Sequence, residues 1–270
     1  MSELAIQLGI YRRLIGARAR SQLQYRGSFA MQLVGQAAGT FLDFFAILFI
    51  FNQVPALAGW SVEQVGFLYA TAGISFSLCD LFIGHLDLLG RMIRMGEFDS
   101  ILTRPVGSLL QVLASDFSLR RLGKAAQALG VLVWVLSRID VPWDPSRIAL
   151  FALTIAAGTV IYVGVWVAFA TITFWSVDSI EVVNAFTYGG SYLNSHPLGV
   201  FGGWLRRFLA FVVPLAFVNY FASLYILDKP DPLGYPGWLA FVAPAVAAAV
   251  AVASRIAWRF AVRHYRSTGS

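Results

Sequence analysis

RMIRMGEFDSILTRPVGSLL, residues 91–110, is a charged, proline-stopped stretch set between long apolar segments. Arg91, Arg94, Glu97, Asp99 and Arg104 together make it too polar for hydrocarbon, where each ionised group is costly. The chain on both sides reads as membrane spans, so this stretch is where it meets an aqueous phase. Of its 270 residues 58% are hydrophobic and 13% charged, whereas soluble domains carry about 25% charged residues. The composition predicts an all-α polytopic membrane protein, one domain over residues 1–270, with room for roughly six spans of about 20 residues.

The net charge of +6 comes largely from arginines clustered at the edges of apolar runs. That distribution fits topogenic charge and gives no basic face for nucleic acid. Cys79 is the only cysteine and sits in an apolar run, which excludes an intrachain disulfide or cysteine metal site and suggests a small packing residue. Gly123-Lys124 is followed by Ala125, without a glycine-rich turn before it, so no Gly-Lys-Ser/Thr phosphate loop is present. The chain is therefore not an ATPase of that class.

Working outward towards the amino terminus, Val65 to about Leu86 is the second span, and Asp80, His85 and Asp87 gather at its end. These groups are expected to reach headgroups and water, with a metal site the weaker reading. Asn52–Gln64, NQVPALAGWSVEQ, lacks Lys and Arg and reads as an extracytoplasmic loop. Ser28–Phe51 is the first span, with Gly35 and Gly39 at the spacing that allows close helix approach and Asp43 facing protein or water. Before it, Leu4, Leu8, Tyr11, Leu14 and Ile15 recur at helical spacing with Arg12, Arg13, Arg18 and Arg20 between them. This predicts an amphipathic interfacial helix over residues 1–27, with an ordinary cytoplasmic helix as the competing reading. The first twenty residues lack the apolar core and cleavage site of a signal peptide.

Towards the carboxyl terminus, Arg104, Arg120, Arg121 and Lys124 place the opening stretch, 88–110 with its flanks, on the cytoplasmic side. Leu122–Leu136 is the third span, Arg138–Arg147 an outer loop, Ile148–Trp175 the fourth span and Ser176–Ser179 a cytoplasmic link. Two readings compete for the next segment. In one, Phe208–Leu227 is the fifth span; in the other, Ile180 to about Leu198 is a polar span and Trp204–Ile226 dips back from outside, broken at Pro214. Both deliver Asp228–Gly237 to the outside, and Trp238 to about Trp258 is the last span. Six spans and two cytoplasmic termini follow. Trp60, Trp143, Trp175, Trp238 and Trp258 fall near the predicted boundaries, as interfacial aromatics do.

Within the opening stretch, Gly96 ends one helical pattern and Pro105 restricts the residue before it. Glu97–Thr103 is left as a short helix whose apolar residues Phe98, Ile101 and Leu102 need cover. Acidic Glu97 and Asp99 disfavour anionic lipid headgroups and favour a groove on a soluble partner.

Gly96-Glu97-Phe98-Asp99 and Leu102-Thr103-Arg104-Pro105-Val106 resemble the GELD…LLTRPVNP signature of one branch of the type 2 ATP-binding-cassette (ABC) exporter permeases, the viologen/multidrug-exporter-like ones. Tyr25-Arg26, Gly59–Ser61, Phe174-Trp175 and Pro214–Tyr220 agree in order; Phe98 replaces a leucine, and Gly107-Ser108 replaces Asn-Pro. The resemblance implies a coupling helix inserted into a separate ATPase subunit, with Glu97, Phe98, Asp99, Leu102, Arg104 and Pro105 as coupling residues. It implies two ATPase chains, which hold ATP and Mg, and a second permease chain, identical or related; this chain binds no cofactor. It favours the reading with re-entrant helices over 197–227, and a path lined by Asp43, Asn184, Tyr188, Tyr192 and Asn194. The expected function is outward transport of a hydrophobic, drug-like or lipid-like substrate across a bacterial cytoplasmic membrane. The alternatives are a proton-coupled transporter using Asp43 and Asp80, and an intramembrane lipid enzyme using Asp80, His85 and Asp87.

Overall fold

Ser61 opens the central helix through a capping box: its hydroxyl accepts the Gln64 N–H at 3.3 Å, and the Gln64 side chain accepts the Ser61 N–H at 3.2 Å. The computed structural model describes residues 16, 20–22, 24–114, 119–176 and 179–266, so most of the expected amphipathic helix over 1–27 lies outside the described residues. The described regular structure is helical apart from an isolated bridge between Leu57 and Trp60.

The α-helices are α1 (Arg26–Phe51), α2 (Val62–Ile83), α3 (Leu89–Arg94), α4 (Glu97–Leu102), α5 (Ser108–Ala114) and α6 (Leu122–Leu136). They continue with α7 (Pro145–Ala170), α8 (Ile180–Asn194), α9 (Gly203–Arg207), α10 (Tyr220–Ile226) and α11 (Ala243–His264). Helix α2 is the hub. In its most apolar 18-residue window 83% of residues are buried, against 11% for α1, which buries only Phe44 and Ile47. The interior is aromatic: Phe76 stacks on Trp166 at 5.7 Å and meets Tyr162 edge-on at 5.3 Å, geometries that ring quadrupoles favour. Cys79 is buried and free, as a packing residue would be.

Among the described residues, four helices are long and apolar enough to cross a membrane: Arg26–Phe51, Val62–Arg94, Pro145–Phe174 and Ala243–His264. A fifth is reached if Gly203–Val212 and Leu215–Ile226 count as one span. The six spans expected from the sequence are not reached by length. Helix α6 has 15 residues, a rise of about 22 Å where hydrocarbon needs about 30 Å. Helix α8 also has 15 and stops where Pro197 excludes further helix.

A straight span over Phe208–Leu227 does not form either. The pair is bent by 68° at Pro214, which has no N–H for the ladder, and the turn before it widens so that the Val213 N–H reaches the Phe208 carbonyl at 3.0 Å.

The close helix approaches occur at glycines other than Gly35 and Gly39, where no described residue outside their own helix lies within 4 Å of an added Cβ. At Gly123 that atom would lie 2.4 Å from the Leu33 carbonyl oxygen, and at Gly164 2.5 Å from Val250, so α6 seats on α1 and α11 on α7 with backbones nearly touching. Two of the five boundary tryptophans also depart from expectation. Trp60 and Trp258 are buried in protein, whereas Trp143, Trp175 and Trp238 are exposed.

Candidate functional site

The chain turns into the charged segment at Gly96, whose φ of 70° lies in the left-handed region that side chains with a Cβ avoid. Beyond it, α4 presents two unlike faces. Phe98 is fully buried, edge-on to Phe174 at 5.1 Å and to Tyr265 at 5.1 Å, with Trp258 at 6.4 Å. Ile101 is buried as well. The cover expected from a partner groove for Phe98 and Ile101 is thus supplied by the chain itself. Asp99 is half-buried and accepts the Tyr265 hydroxyl at 3.0 Å.

The outer side is exposed and carries Glu97 and Leu102 of α4, with Arg104 and Pro105 in the turn just after it. Its exit is held by Gln111, whose amide donates to the Ile101 carbonyl at 3.0 Å and to the Val106 carbonyl at 2.6 Å, bridging the end of α4 to α5 across Pro105. Of the six coupling candidates, Glu97, Leu102, Arg104 and Pro105 share the open side, while Phe98 and Asp99 bind it to the core. Trp258 and Tyr265 were not singled out in sequence as its supports. Their only signal was aromatic character beside a basic helix end.

A second feature lies between α1 and α8. A polar cavity of about 460 Å³ is lined by Gln32, Gly35 and Gln36 from α1, Asp80 from α2, Arg121 and Lys124 at the start of α6, and Tyr188 from α8. Asp80 is 1% exposed; Lys124 Nζ stands 3.0 Å from one carboxylate oxygen and Arg121 Nη1 3.3 Å from the other. Arg121 Nη1 also donates to the Asp80 carbonyl at 2.5 Å, and Lys124 lies 5.3 Å from the Tyr188 ring centre. Tyr188 donates to Asp87 at 3.0 Å. His85 is buried, with its Nε2 against the Val112 carbonyl.

The solvated fate expected for these three groups is therefore corrected. Asp80 and His85 are buried and Asp87 is partly so, with Arg121, Lys124, Tyr188 and the Val112 carbonyl as partners within the protein. Each has a different partner, and among the described residues no group of three or more His, Cys, Asp or Glu is placed to hold a metal.

Of the path candidates, Tyr188 lies on this cavity. Asp43 is on the open face of α1, Asn184 is half-buried and Tyr192 is 56% exposed. Asn194 is buried and structural: it donates to the Tyr162 hydroxyl at 3.0 Å, and its carbonyl accepts Asn219 Nδ2 at 3.0 Å.

Long apolar helices with a charged, exposed segment between them are the build of a multi-pass membrane protein. A family profile described as ABC-2 family transporter protein matches residues 37–269, and the chain belongs to that family. Members are membrane subunits of ABC transporters, without an ATPase of their own, that work with ABC ATPase subunits. No curated protein and no solved structure matched the chain.

Proposed function

We propose that the chain is the permease subunit of an ATP-driven exporter and that residues 96–106 are where the ATPase grips it. The observation that carries this reading is the two-sidedness of α4. Its inner face is locked by Phe98 and Asp99, so Glu97, Leu102, Arg104 and Pro105 stand on a rigid ledge. Rigid presentation of a few charged and apolar groups lowers the entropy lost on docking. Opposite charges on Glu97 and Arg104 give the ledge electrostatic polarity for orientation.

In this reading the ledge is cytoplasmic, α6 and α8 complete six spans, and both termini are inside a bacterial cytoplasmic membrane. The bent 203–226 pair is re-entrant from outside. Two ATPase chains hold ATP and Mg, and a second permease, identical or related, covers the open side of α1 at Gly35 and Gly39. The cargo is hydrophobic, drug-like or lipid-like and moves outward between α1 and α8, past Tyr188.

The test is capture of the host ATPase by the affinity-tagged chain. Glu97→Lys with Arg104→Glu should cut ATPase recovery by about tenfold or more while leaving the yield of folded permease unchanged. Undiminished recovery removes the ledge from its assigned role. Asp99 is the poorer test residue, because its reversal also breaks the bond to Tyr265.

A further inference from the structure

We infer that Trp258, with Phe98, Phe174 and Tyr265, forms an aromatic joint that carries movement of the coupling segment to α7 and α11, with Trp258 as its positioning residue. The inference rests on the permease reading above and deepens it by naming the route.

Trp258 touches the segment at both ends. Its ring meets Phe98 at 6.4 Å, and its Nε1 donates to Ser108 Oγ at 3.2 Å, beyond Pro105 and Gly107. Tyr265 adds a third grip through Asp99. The three points on the segment are thus held from α11 and the residue just beyond it. Helix α7 enters through Phe174 in the short turn that ends it, 5.1 Å from Phe98, 5.3 Å from Trp258 and 5.8 Å from Tyr265. Packed aromatic rings resist compression and transmit displacement. A push on the ledge therefore reaches α7 and α11 together.

These two helices cannot part easily, since Gly164 lets the Val250 backbone approach within 3.2 Å of its Cβ position. Helix α7 then hands the motion to α8 through Phe169 and Phe186, stacked at 3.9 Å. Helix α1 takes its contacts from α2 and α6 instead. Motion from the joint therefore enters α7, α8 and α11 first and reaches α1 through α2 and α6.

The experiment needs no identified cargo. In the purified permease–ATPase complex in nanodiscs, Ala185→Cys on the exposed side of α8 is labelled with a charged maleimide, with and without ATP and vanadate; Cys79 is buried and silent. In this parent, ATP should change the labelling rate by about fivefold or more. Trp258→Ala should abolish the change while ATPase capture persists, and Trp258→Phe should restore it. Ile161→Ala, a buried cavity in α7 away from the joint, should keep it.

Retention of the ATP response in Trp258→Ala overturns the joint, and so does equal loss in Ile161→Ala. If Trp258→Ala does not fold, Tyr265→Phe decides. Loss of the hydroxyl that it donates to Asp99 should weaken the response about twofold, and an undiminished response overturns the joint. A parent that captures no ATPase refutes the permease reading itself; capture without an ATP response refutes the route.

Discussion

Lys124 and Arg121 close on Asp80 from two sides, at 3.0 and 3.3 Å, and shut its carboxylate away from solvent inside the bundle. A buried ion triad adds little stability over apolar packing, but removing one member strands the others in a low dielectric. Asp80→Ala should therefore cost about 3–5 kcal/mol, read as a fall in the thermal unfolding midpoint of the detergent-purified chain. Asp80→Asn, which keeps shape and an acceptor, should cost less. A midpoint within error of wild type for Asp80→Ala would show that the triad is open to water.

Gly123 marks where α6 meets α1. A methyl there would meet the Leu33 carbonyl oxygen at 2.4 Å, and backbone cannot swing away as a side chain can. Gly123→Ala should destabilise the single chain by about 1–3 kcal/mol. Gly39→Leu should not, because Gly39 is exposed and, among the described residues outside its own helix, none lies within 4 Å of an added Cβ. If a second permease covers α1, Gly39→Leu should instead shift the population from dimer to monomer in size-exclusion chromatography with light scattering.

Asn219 is a buried cross-brace. Its Nδ2 donates to the Leu68 carbonyl at 2.9 Å and to the Asn194 carbonyl at 3.0 Å, joining α2, α8 and the bent 203–226 segment. Asn219→Ala leaves two carbonyls without this donor and should cost about 1–3 kcal/mol. Asn219→Asp should be worse, since a carboxylate offers no N–H and would face two carbonyl oxygens. Thermal midpoints that rank Asp above Ala would contradict the assigned geometry.

The sequence made the apolar helices legible because composition and charge at their edges act locally. The turn at Gly96 was legible for the same reason: a glycine between a helical run and an acidic start is a local signal. What escaped depended on distance in sequence. Nothing near Phe98 says that Trp258 and Tyr265 cover it, and periodicity assigns its face without naming the occupant. Asp80 reads as a group near a helix end until Arg121 and Lys124 arrive from forty residues on. Gly35 and Gly39 carry a packing spacing that no described residue outside their own helix meets, while Gly123, which does take a close approach, stands at the start of the third predicted span without such spacing.

Asp144 caps α7 with Pro145 in the first turn. Its Oδ1 accepts the Ser146 N–H at 2.7 Å and the Arg147 N–H at 2.9 Å, besides the Ser146 hydroxyl. The Ser146 hydroxyl first, then the Arg147 N–H, hold its carboxyl below the usual carboxylate range. A depressed folded value means that the ionised cap favours the folded state. That contribution is present above the unfolded value of about 4 and is lost as pH falls through the lower folded value. The stability gap between wild type and Asp144→Ala should accordingly be full at neutral pH and shrink in acid. Asp144→Asn, which caps without a charge, should show no such narrowing against Ala. Thermal unfolding of the three chains across that range checks it; a gap that stays constant in acid would mean that the ionised form contributes nothing.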